Sequence, residues 1–466
     1  MDLSKFRVPH VYVLLFFIMV LIVILSHIIP AGEFVRVEDP ETGRMMIDPD
    51  SFAFVEPSPL GFFDLFMAFP NGMARAVDVL FMVVLTLAGM EIIIQTGALQ
   101  RGITKAMHSM QGKESFLLVV TIIIFGCVGA FVGWAEGILM FIPLSVALTR
   151  VMGYDALVGL GITSTAAAAG FATAPTNIYT VGVAQGIVGL PLFSGLEFRL
   201  VTFVIIMIPT IWYILRYANR IKKDPSKSLV ADVDLTATLE IDTDGKEEKL
   251  SFRDILVIAV LIFGFALAVY GALELGWFMR QIAANFTMIG IIGGLIGGLN
   301  LEQIPKAYAK GAEKIIWSGL TIGIAAGILV LMEDGVIIDS IIYYLSQAVK
   351  ALPAGLTAVG IYIVQVIINT FIPSASGQAL TTVPILAPVA ELAGSTQKVA
   401  VLAFQYGDGF TNQIIPTIAV LWAALSLAGG VPYQRWVKFV GPLVLIWLVL
   451  AVVFISVAHF MQLGPF

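Results

Sequence analysis

The sequence has 466 residues, of which 59% are hydrophobic and only 12% are charged, and its mean hydropathy is +0.95. Such a large apolar fraction exceeds what the core of a soluble domain uses and indicates a multi-pass membrane protein. The net charge of −6 without a basic face argues against nucleic-acid binding, and the single cysteine excludes an internal disulfide. The four histidines are scattered without a metal-binding spacing, so no metal cofactor is expected.

The first predicted element is an apolar stretch at residues 11–30, which is longer than the roughly 7 to 15 residues of a secretory signal's apolar region. We expect it to remain in the protein as a transmembrane helix. Lys5 and Arg7 precede it and acidic residues follow it within 33–56, so the positive-inside rule places the N-terminus in the cytoplasm. Residues 1–59 are therefore assigned to this helix and an extracellular loop.

Residues 60–218 are predicted to form the first half of the membrane body. The half begins with an aromatic stretch at 62–69, which is typical of an interfacial amphipathic arm. A helical hairpin at about 115–150 is expected to enter the membrane from the cytoplasm and return, with its tip at "GWAEG" (133–137). The segment after the hairpin is interrupted by "GFATAPTNIY", which starts at Gly170.

A polar stretch at 219–252 is predicted to be a cytoplasmic linker, and two connecting transmembrane helices are expected within 253–300. The second half, 301–466, contains another predicted hairpin at about 355–392, with its tip at "PSASG". It is again followed by an interrupted segment, "YGDGFTNQIIP", which starts at Tyr406. The two halves therefore contain the same kinds of element in the same order.

An internal repeat supports this division, because one constant offset aligns residues 143–191 with 384–432 without a gap, and a slightly smaller offset extends the match upstream. It pairs Pro143 with Pro384, Gly153 with Gly394, Pro175 with Pro416, Thr176 with Thr417, and Pro191 with Pro432. The first half begins after the outside loop and ends at the basic linker, whereas the second half begins at cytoplasmic lysines and ends outside. The repeats are thus predicted to have inverted topologies, as in many secondary transporters, with the two hairpin tips facing each other near the membrane midplane.

The two interruptions are the predicted binding site. Unwound backbone in lipid leaves N–H and C=O groups unpaired at roughly 2–7 kcal/mol each, so such segments are expected to line a cavity. An isolated serine or threonine more often serves helix packing, but here polar residues cluster at two repeat-related breaks. The uncharged residues predicted to line the site are Thr173, Thr176, Asn177, Ser374, Ser376, Thr411 and Asn412.

Two acidic residues fall inside these interrupted regions, Glu136 in the first hairpin tip and Asp408 in the second broken segment. A carboxylate at membrane depth is unfavourable unless it is paired or functional, so each is predicted to bind a cationic group, help to hold a cation or carry a proton. A structural hydrogen bond at the tip is the alternative for Glu136. Glu91 is predicted to lie nearer a helix end, in a solvated or interfacial position. A coupling Na⁺ is expected near Asn177, Ser376 and Asn412.

Four motifs carry a resemblance to a known family: "GWAEG", "VAQGIVGLPLFSG", "SASGQALTTVPILAPVAELAG" and "VLAFQYGDGFTNQIIPT". Nearly the whole chain resembles the YfcC-type proteins, grouped with the anaerobic C4-dicarboxylate carriers and the ArcD-type arginine/ornithine antiporters in the ion transporter superfamily. The resemblance implies a carrier in the plasma membrane of a bacterium or archaeon. It also implies a homodimer in which each protomer has a scaffold domain and a transport domain that moves as an elevator.

The resemblance also implies site residues, by the match of hairpin-tip and unwound-helix positions. These positions are Glu136, Thr176, Asn177, Ser376, Gly377, Asp408, Thr411 and Asn412. Gly137 stands in the first tip where relatives more often carry a second acid. The predicted fold class is an all-α polytopic membrane protein with two inverted repeats, re-entrant hairpins and broken helices, divided into scaffold and transport domains.

The sequence predicts a secondary active transporter, without a cofactor, that couples a small charged metabolite to Na⁺ or H⁺ or exchanges it. An amino acid such as arginine or ornithine is the leading substrate, because a cationic group needs buried anionic partners. The alternative is a carrier of C4-dicarboxylates or other carboxylates. An intramembrane enzyme is not expected, since no Ser/His pair, Asp/Asp pair or metal motif is evident, and a channel fits the inverted repeat less well.

Overall fold

The computed structural model describes residues 11–38, 45–102, 105, 113–133, 137–233, 250–277, 279–313 and 316–464. Within these ranges six helices are long and apolar enough to cross a membrane. A pair bent by 80° between Asp334 and Ile338 raises the number to seven if it forms one span. The chain is therefore a multi-pass protein built mainly from helices.

The chain from Val11 to Lys223 contains short helices and irregular turns between its long helices. Its helices are α1 (Val11–Ser26), α2 (Phe62–Arg75), α3 (Val77–Gln95), α4 (Glu114–Cys127), α5 (Ile142–Val151), α6 (Ala156–Leu160), α7 (Ala166–Thr173), α8 (Val183–Ile187) and α9 (Leu196–Lys223). Turns of π-helix lie at Val128–Val132, Gly161–Thr165 and Ile178–Gly182, and a 3₁₀ turn at Gly137–Phe141 precedes α5. Single π turns are rare in proteins, and those that do occur inside helices often lie at functional sites.

The rest of the chain begins with the two predicted connecting helices and continues with the elements of the second half. The helices are α10 (Phe252–Glu274), α11 (Met279–Ile296), α12 (Gln303–Glu313), α13 (Ile316–Asp334), α14 (Ile338–Lys350), α15 (Ala354–Asn369), α16 (Ala375–Leu392), α17 (Gln397–Thr411), α18 (Ala419–Leu427) and α19 (Tyr433–Phe460). The predicted hairpin at about 355–392 corresponds to α15 and α16, and the chain breaks at the predicted "PSASG".

The loop after α1 adds four short strands that the prediction of an all-α chain did not include. β1 (Gly32–Glu33) pairs with β4 (Ala53–Phe54), and β2 (Arg36–Glu38) pairs with β3 (Met45–Ile47), both antiparallel. The buried Asp339 of α14 holds this loop in place. Its carboxylate accepts a hydrogen bond from the Phe34 N–H at 3.0 Å and forms an ion pair with Arg36, also at 3.0 Å. A polar loop of this length folds into strands because its backbone groups pair locally.

The short helices α2 and α12 each pack on a long helix of the opposite half. A Cβ on Gly72 of α2 would overlap backbone atoms of Gly323 and Gly327 in α13. In the same way, a Cβ on Gly311 of α12 would be only 2.7 Å from the Ala88 Cα and the Leu87 carbonyl oxygen of α3. The two arms therefore approach their partner helices at backbone distance through one glycine each.

An ion pair ties each arm to its partner helix. Arg75 of α2 pairs with Glu333 of α13, and Lys310 of α12 pairs with Glu91 of α3 at 3.4 Å. The prediction of a solvated or interfacial role for Glu91 is wrong, because this residue is only 3% exposed. Its carboxylate is buried under α12, where the lysine and the Gln95 amide at 3.2 Å supply donors.

The helices pack in two sets. One set contains α1, α2, α3 and α10–α13, in which α3 packs on α11 and α12, and α13 packs on α1 and α2. The other set contains α4–α9, α14, the hairpin α15–α16, α17 and α19. The short α18 contacts α3 and α13 of the first set, so it lies between the two.

The glycine contact of α2 gives a stability prediction. Gly72→Ala is expected to lower the melting temperature of the purified protein in detergent, because overpacking a close contact costs about 1–3 kcal/mol. The matched control is Gly355→Ala in α15, where a Cβ meets open space. That variant should keep or raise the melting temperature, since alanine favours a helix over glycine by roughly 0.5–1 kcal/mol. The melting temperatures are measured by tryptophan fluorescence. Equal values for the Gly72→Ala and Gly355→Ala variants would contradict the packing argument.

Candidate functional site

The first hairpin arm ends close to a predicted site residue. The π turn Val128–Val132 extends α4 to Gly133, whose φ of 70° is left-handed and suits glycine. A Cβ on Gly133 would overlap the amide of Asn177, which is fully buried. The tip backbone therefore touches the first broken segment. Glu136 lies outside the described residues, whereas Gly137 is buried at the start of the 3₁₀ turn.

The second hairpin tip is a break of a few residues between α15 and α16. Ser374 is the N-cap of α16 and its hydroxyl accepts a hydrogen bond from the Gly377 N–H at 3.3 Å. Ser374 is exposed, while Ser376 and Gly377 are half-buried. The cap explains why the helix restarts here, because serine satisfies one of the unpaired N–H groups of a helix N-terminus.

The first broken segment begins where α7 ends at Thr173. The next residue, Ala174, has a φ of 41°, which is a left-handed conformation that alanine adopts only when its surroundings hold it. The Thr173 hydroxyl donates to the Ala169 and Gly170 carbonyls of its own helix at 3.2 and 2.9 Å. The Thr176 hydroxyl instead donates to the Phe131 carbonyl at 3.0 Å and so reaches the first hairpin.

The second broken segment runs from the end of α17 at Thr411 to the start of α18. Two of its carbonyls accept hydrogen bonds from tryptophan side chains. The Trp436 indole N–H donates to the Gln413 carbonyl and the Trp422 indole N–H donates to the Pro416 carbonyl, each at 2.7 Å. The Thr417 hydroxyl donates to the Thr370 carbonyl at the second hairpin tip, also at 2.7 Å. These bonds satisfy carbonyls that water cannot reach in a membrane.

Asn369, the last residue of α15, links the second hairpin to the second broken segment. Its side-chain amide N–H₂ lies 2.7 Å from the Asp408 carbonyl, 2.8 Å from the Thr411 hydroxyl and 2.8 Å from the Asn412 side-chain oxygen. One buried amide thus brings three of the predicted site residues together. Ser374 and Ser376 are at the neighbouring tip.

The two broken helices contact each other directly. The Gln405 amide of α17 donates to the Phe171 carbonyl of α7 at 2.8 Å. A Cβ on Gly409 would lie 2.5 Å from the Ala172 Cα, so the helix backbones meet one residue away from Asp408 and from Thr173. The structure therefore joins the two predicted site regions into one polar zone between α7, α15 and α17.

This zone has a surplus of hydrogen-bond acceptors. Asp408 is 1% exposed, and its Oδ2 has no hydrogen-bond partner among the described residues. The same holds for the side-chain oxygens of Asn369, Gln378 and Gln405, all of which are buried. The amide orientations are fixed, because each amide nitrogen already donates to a backbone carbonyl. The unpaired atoms are therefore oxygens in each case.

Sequence reasoning missed four polar residues of this zone and one threonine that latches the second tip. Gln365 and Gln378 bond each other and Thr382 across the second hairpin, and Asn369 and Gln405 make the contacts given above. A signal existed for Thr417, since the repeat offset pairs it with Thr176. A further signal was available for Asn369, which directly precedes the predicted break and ends an apolar helix.

Comparison with known proteins gives a consistent family and two curated relatives. A profile of the family described as "C4-dicarboxylate anaerobic carrier" matches residues 8–460. The Escherichia coli K12 protein named "Putative basic amino acid antiporter YfcC" is 28% identical over 471 residues, which cover 93% of each chain. An uncharacterized Haemophilus influenzae protein is 27% identical, over 95% of this chain and 96% of its own.

Two solved structures of transporters are also similar along the whole chain. The YdaH transporter of Alcanivorax borkumensis has 17% identity and a TM-score of 0.41, and the match covers 98% of this chain and 100% of that one. MtrF of Neisseria gonorrhoeae, from a class of antimetabolite efflux pumps, has 18% identity and a TM-score of 0.38, with 97% and 96% covered.

The bridging role of Asn369 gives a prediction. Asn369→Ala is expected to reduce transport at least about tenfold, because the Asp408 carbonyl and the Thr411 hydroxyl lose a donor and a buried unpaired group costs roughly 1–3 kcal/mol. The control is Asn71→Ala, at an exposed position of α2. Transport by purified protein in liposomes measures the effect, and size-exclusion chromatography verifies the fold. Unchanged transport by Asn369→Ala would remove the residue from the site.

Proposed function

Because the chain belongs to the C4-dicarboxylate anaerobic carrier family of membrane transporters, we propose that it is a secondary active transporter for a small metabolite with a cationic group. An amino acid such as arginine or ornithine is the first substrate to test. The observation that carries this choice is the buried Asp408, whose Oδ2 has no partner among the described residues. The curated relative named as a basic amino acid antiporter supports the same choice.

The acceptor surplus around Asp408 favours a ligand that only donates hydrogen bonds. A guanidinium has five N–H donors and no acceptor, and an ammonium has three donors. Either one supplies donors for the Asp408 carboxylate, which would be strongly unfavourable if it stayed buried and unpaired. The unpaired oxygens thus suit a cationic substrate group or a bound cation.

The alternative is a C4-dicarboxylate carrier, and the description of the family favours it. In that case the N-terminus of α16 and nearby hydroxyls would hold the carboxylates, and Na⁺ or H⁺ would compensate their charge. Neither interrupted segment, 170–179 or 406–416, contains an arginine or lysine. A second carboxylate next to Asp408 would therefore need a cation that the segments themselves do not supply.

Coupling is proposed to use Na⁺ or H⁺. Oxygen ligands suit Na⁺, and Asn177, Ser376 and Asn412 supply side-chain oxygens at the first break, the second tip and the second break. Asp408 is the residue proposed to hold a proton in the alternative. These choices predict different responses to the two gradients, so one experiment separates them.

Movement is proposed to follow an elevator mechanism in two inverted repeats, with re-entrant hairpins, in a homodimer of the prokaryotic plasma membrane with a cytoplasmic N-terminus. The reciprocal packing of α2 on α13 and of α12 on α3 supports the repeat. The two helix sets support a scaffold of α1–α3 and α10–α13 and a transport domain that contains both hairpins. The proposed domain bounds are those of the sequence: 1–59, 60–218, 219–252, 253–300 and 301–466.

Uptake into proteoliposomes tests the function. Labelled arginine, ornithine, a neutral amino acid and succinate are supplied under an imposed Na⁺ gradient, an imposed H⁺ gradient or neither, and exchange is measured with the same compounds inside. Saturable uptake of arginine or ornithine supports the leading proposal, and saturable uptake of succinate alone supports the alternative. Flux that is non-saturable and independent of gradients for the whole panel would contradict a secondary transporter.

Asp408 gives the sharpest single-residue prediction. Asp408→Asn keeps the shape but removes the charge, so uptake is expected to fall at least about a hundredfold while the protein stays folded, consistent with loss of a buried ionic partner worth roughly 3–5 kcal/mol. Asp50→Asn, in the exposed part of the loop after α1, is the matched control. Near-normal uptake by Asp408→Asn would exclude the carboxylate from substrate and ion binding.

A further inference from the structure

Each half of the chain has a Pro-Thr pair inside its broken segment. These pairs are Pro175–Thr176 and Pro416–Thr417, and the repeat offset places them at equivalent positions. A proline lacks an N–H and restricts the residue before it, so it suits a position outside a helix. Both prolines lie after a helix end, since α7 ends at Thr173 and α17 at Thr411.

Both threonines donate to the same kind of acceptor. The Thr176 hydroxyl donates at 3.0 Å to the carbonyl of Phe131, in the π turn that ends the first hairpin's inbound arm. The Thr417 hydroxyl donates at 2.7 Å to the carbonyl of Thr370, the C-cap residue of the second hairpin's inbound arm. Carbonyls in the last turn of a helix have no partner inside the helix. Each hydroxyl therefore pairs a carbonyl that has no partner inside its own helix, at an exposed position for Phe131 and a part-buried one for Thr370.

We propose that Thr176 and Thr417 are positioning residues that latch the two hairpin tips to the broken helices and so set the distance across the binding site. Neither hydroxyl needs to touch the substrate. Each one fixes where a tip lies relative to the residues of the adjacent break, which are Asn177 in the first half and Asp408 with Asn412 in the second. Small displacements of binding groups reduce affinity strongly, so loosening a tip weakens the site without removing any ligand.

A different additional hydrogen bond accompanies each of the two threonine bonds. At the first tip, the Thr176 N–H also lies 3.4 Å from the Ala130 carbonyl, which keeps a weak contact when the hydroxyl is lost. At the second tip, Asn369 is the other link to the broken helix. Loss of either hydroxyl is therefore expected to loosen its own tip without unfolding the protein. The effect should stay within one half, because each bond joins two segments of the same half.

Cysteine labelling tests the latch without any transport measurement. Cys127 is the only cysteine, so Cys127→Ala gives a background without thiols. Val132→Cys reports on the first tip and Ala375→Cys on the second, and both positions are half-buried. The purified protein in detergent is treated with a polar maleimide, and the labelling rate is measured in each background with and without the threonine variants.

Thr417→Val keeps the side-chain shape and removes the donor. It is expected to raise labelling at the Ala375→Cys reporter about fivefold, the factor for one lost hydrogen bond, and to leave the Val132→Cys reporter unchanged. Thr176→Val is expected to do the reverse. Thr417→Ser and Thr176→Ser keep the hydroxyl and should restore the parent rates. An equal rise at both reporters in each variant, or no rise at either, would overturn the proposal.

Transport kinetics give a second readout, which rests on the proposed function. With a transported substrate, Thr417→Val should raise KM about fivefold or more with little change in maximal rate, and Thr417→Ser should restore KM. A lower maximal rate with unchanged KM would overturn the positioning role. If no compound in the panel is transported, the proposed function fails, while the labelling result still decides whether the latches exist.

Discussion

The pairing of backbone groups where helices break is the constraint on which the rest of this structure depends. A peptide group at membrane depth cannot bond water, so each broken segment needs donors and acceptors from the protein itself. The second break obtains donors from the indoles of Trp422 and Trp436 and from the Tyr433 hydroxyl, which donates to the Ile414 carbonyl. At the first break the Thr176 N–H donates to the Ala130 carbonyl at 3.4 Å, and the π turn Ile178–Gly182 pairs the Asn177 carbonyl with the Gly182 N–H at 3.0 Å. Hydrogen bonds from several different elements therefore stabilise each break.

Each hairpin also packs so closely on its broken helix that the two form one unit. A Cβ on Gly170 of α7 would overlap the Gly126 carbonyl of α4, and one on Gly129 would overlap the Ala167 carbonyl. In the second half Gly407 of α17 has the same relation to Gln365 of α15. Interiors packed at this density resist sliding between helices. In the proposed elevator movement each hairpin would therefore travel with its broken helix, and the substrate would remain between the same residues.

Much of the framework could be predicted from the sequence because its signals are local. Prolines, glycines and apolar length predicted a break at "PSASG", where one helix ends at Asn369 and the next begins at Ala375. They also predicted interruptions from Gly170 and from Tyr406, whereas the helices continue to Thr173 and Thr411. The buried amides could not be found in this way. Gln365, Gln378 and Gln405 lie in apolar helices, and their role depends on which face each helix turns to its neighbour. The prediction of a solvated position for Glu91 was wrong for the same reason, since the residue is buried by α12, which is distant in the sequence.

The two halves differ in the chemistry of their buried polar groups, and this difference bears on what the proposed site would recognise. The unpaired buried oxygens of Asn369, Gln378, Gln405 and Asp408 all belong to the second half. Among the described residues of the first half, the unpaired buried side-chain atoms include the hydroxyls of Thr165 and Thr180, which can donate as well as accept. If the repeats are related as the offset predicts, the shared backbone supplies the geometry for access from both sides. The unpaired acceptors of the second half would then favour the proposed cationic group of a substrate, which would lie against α15 and α17.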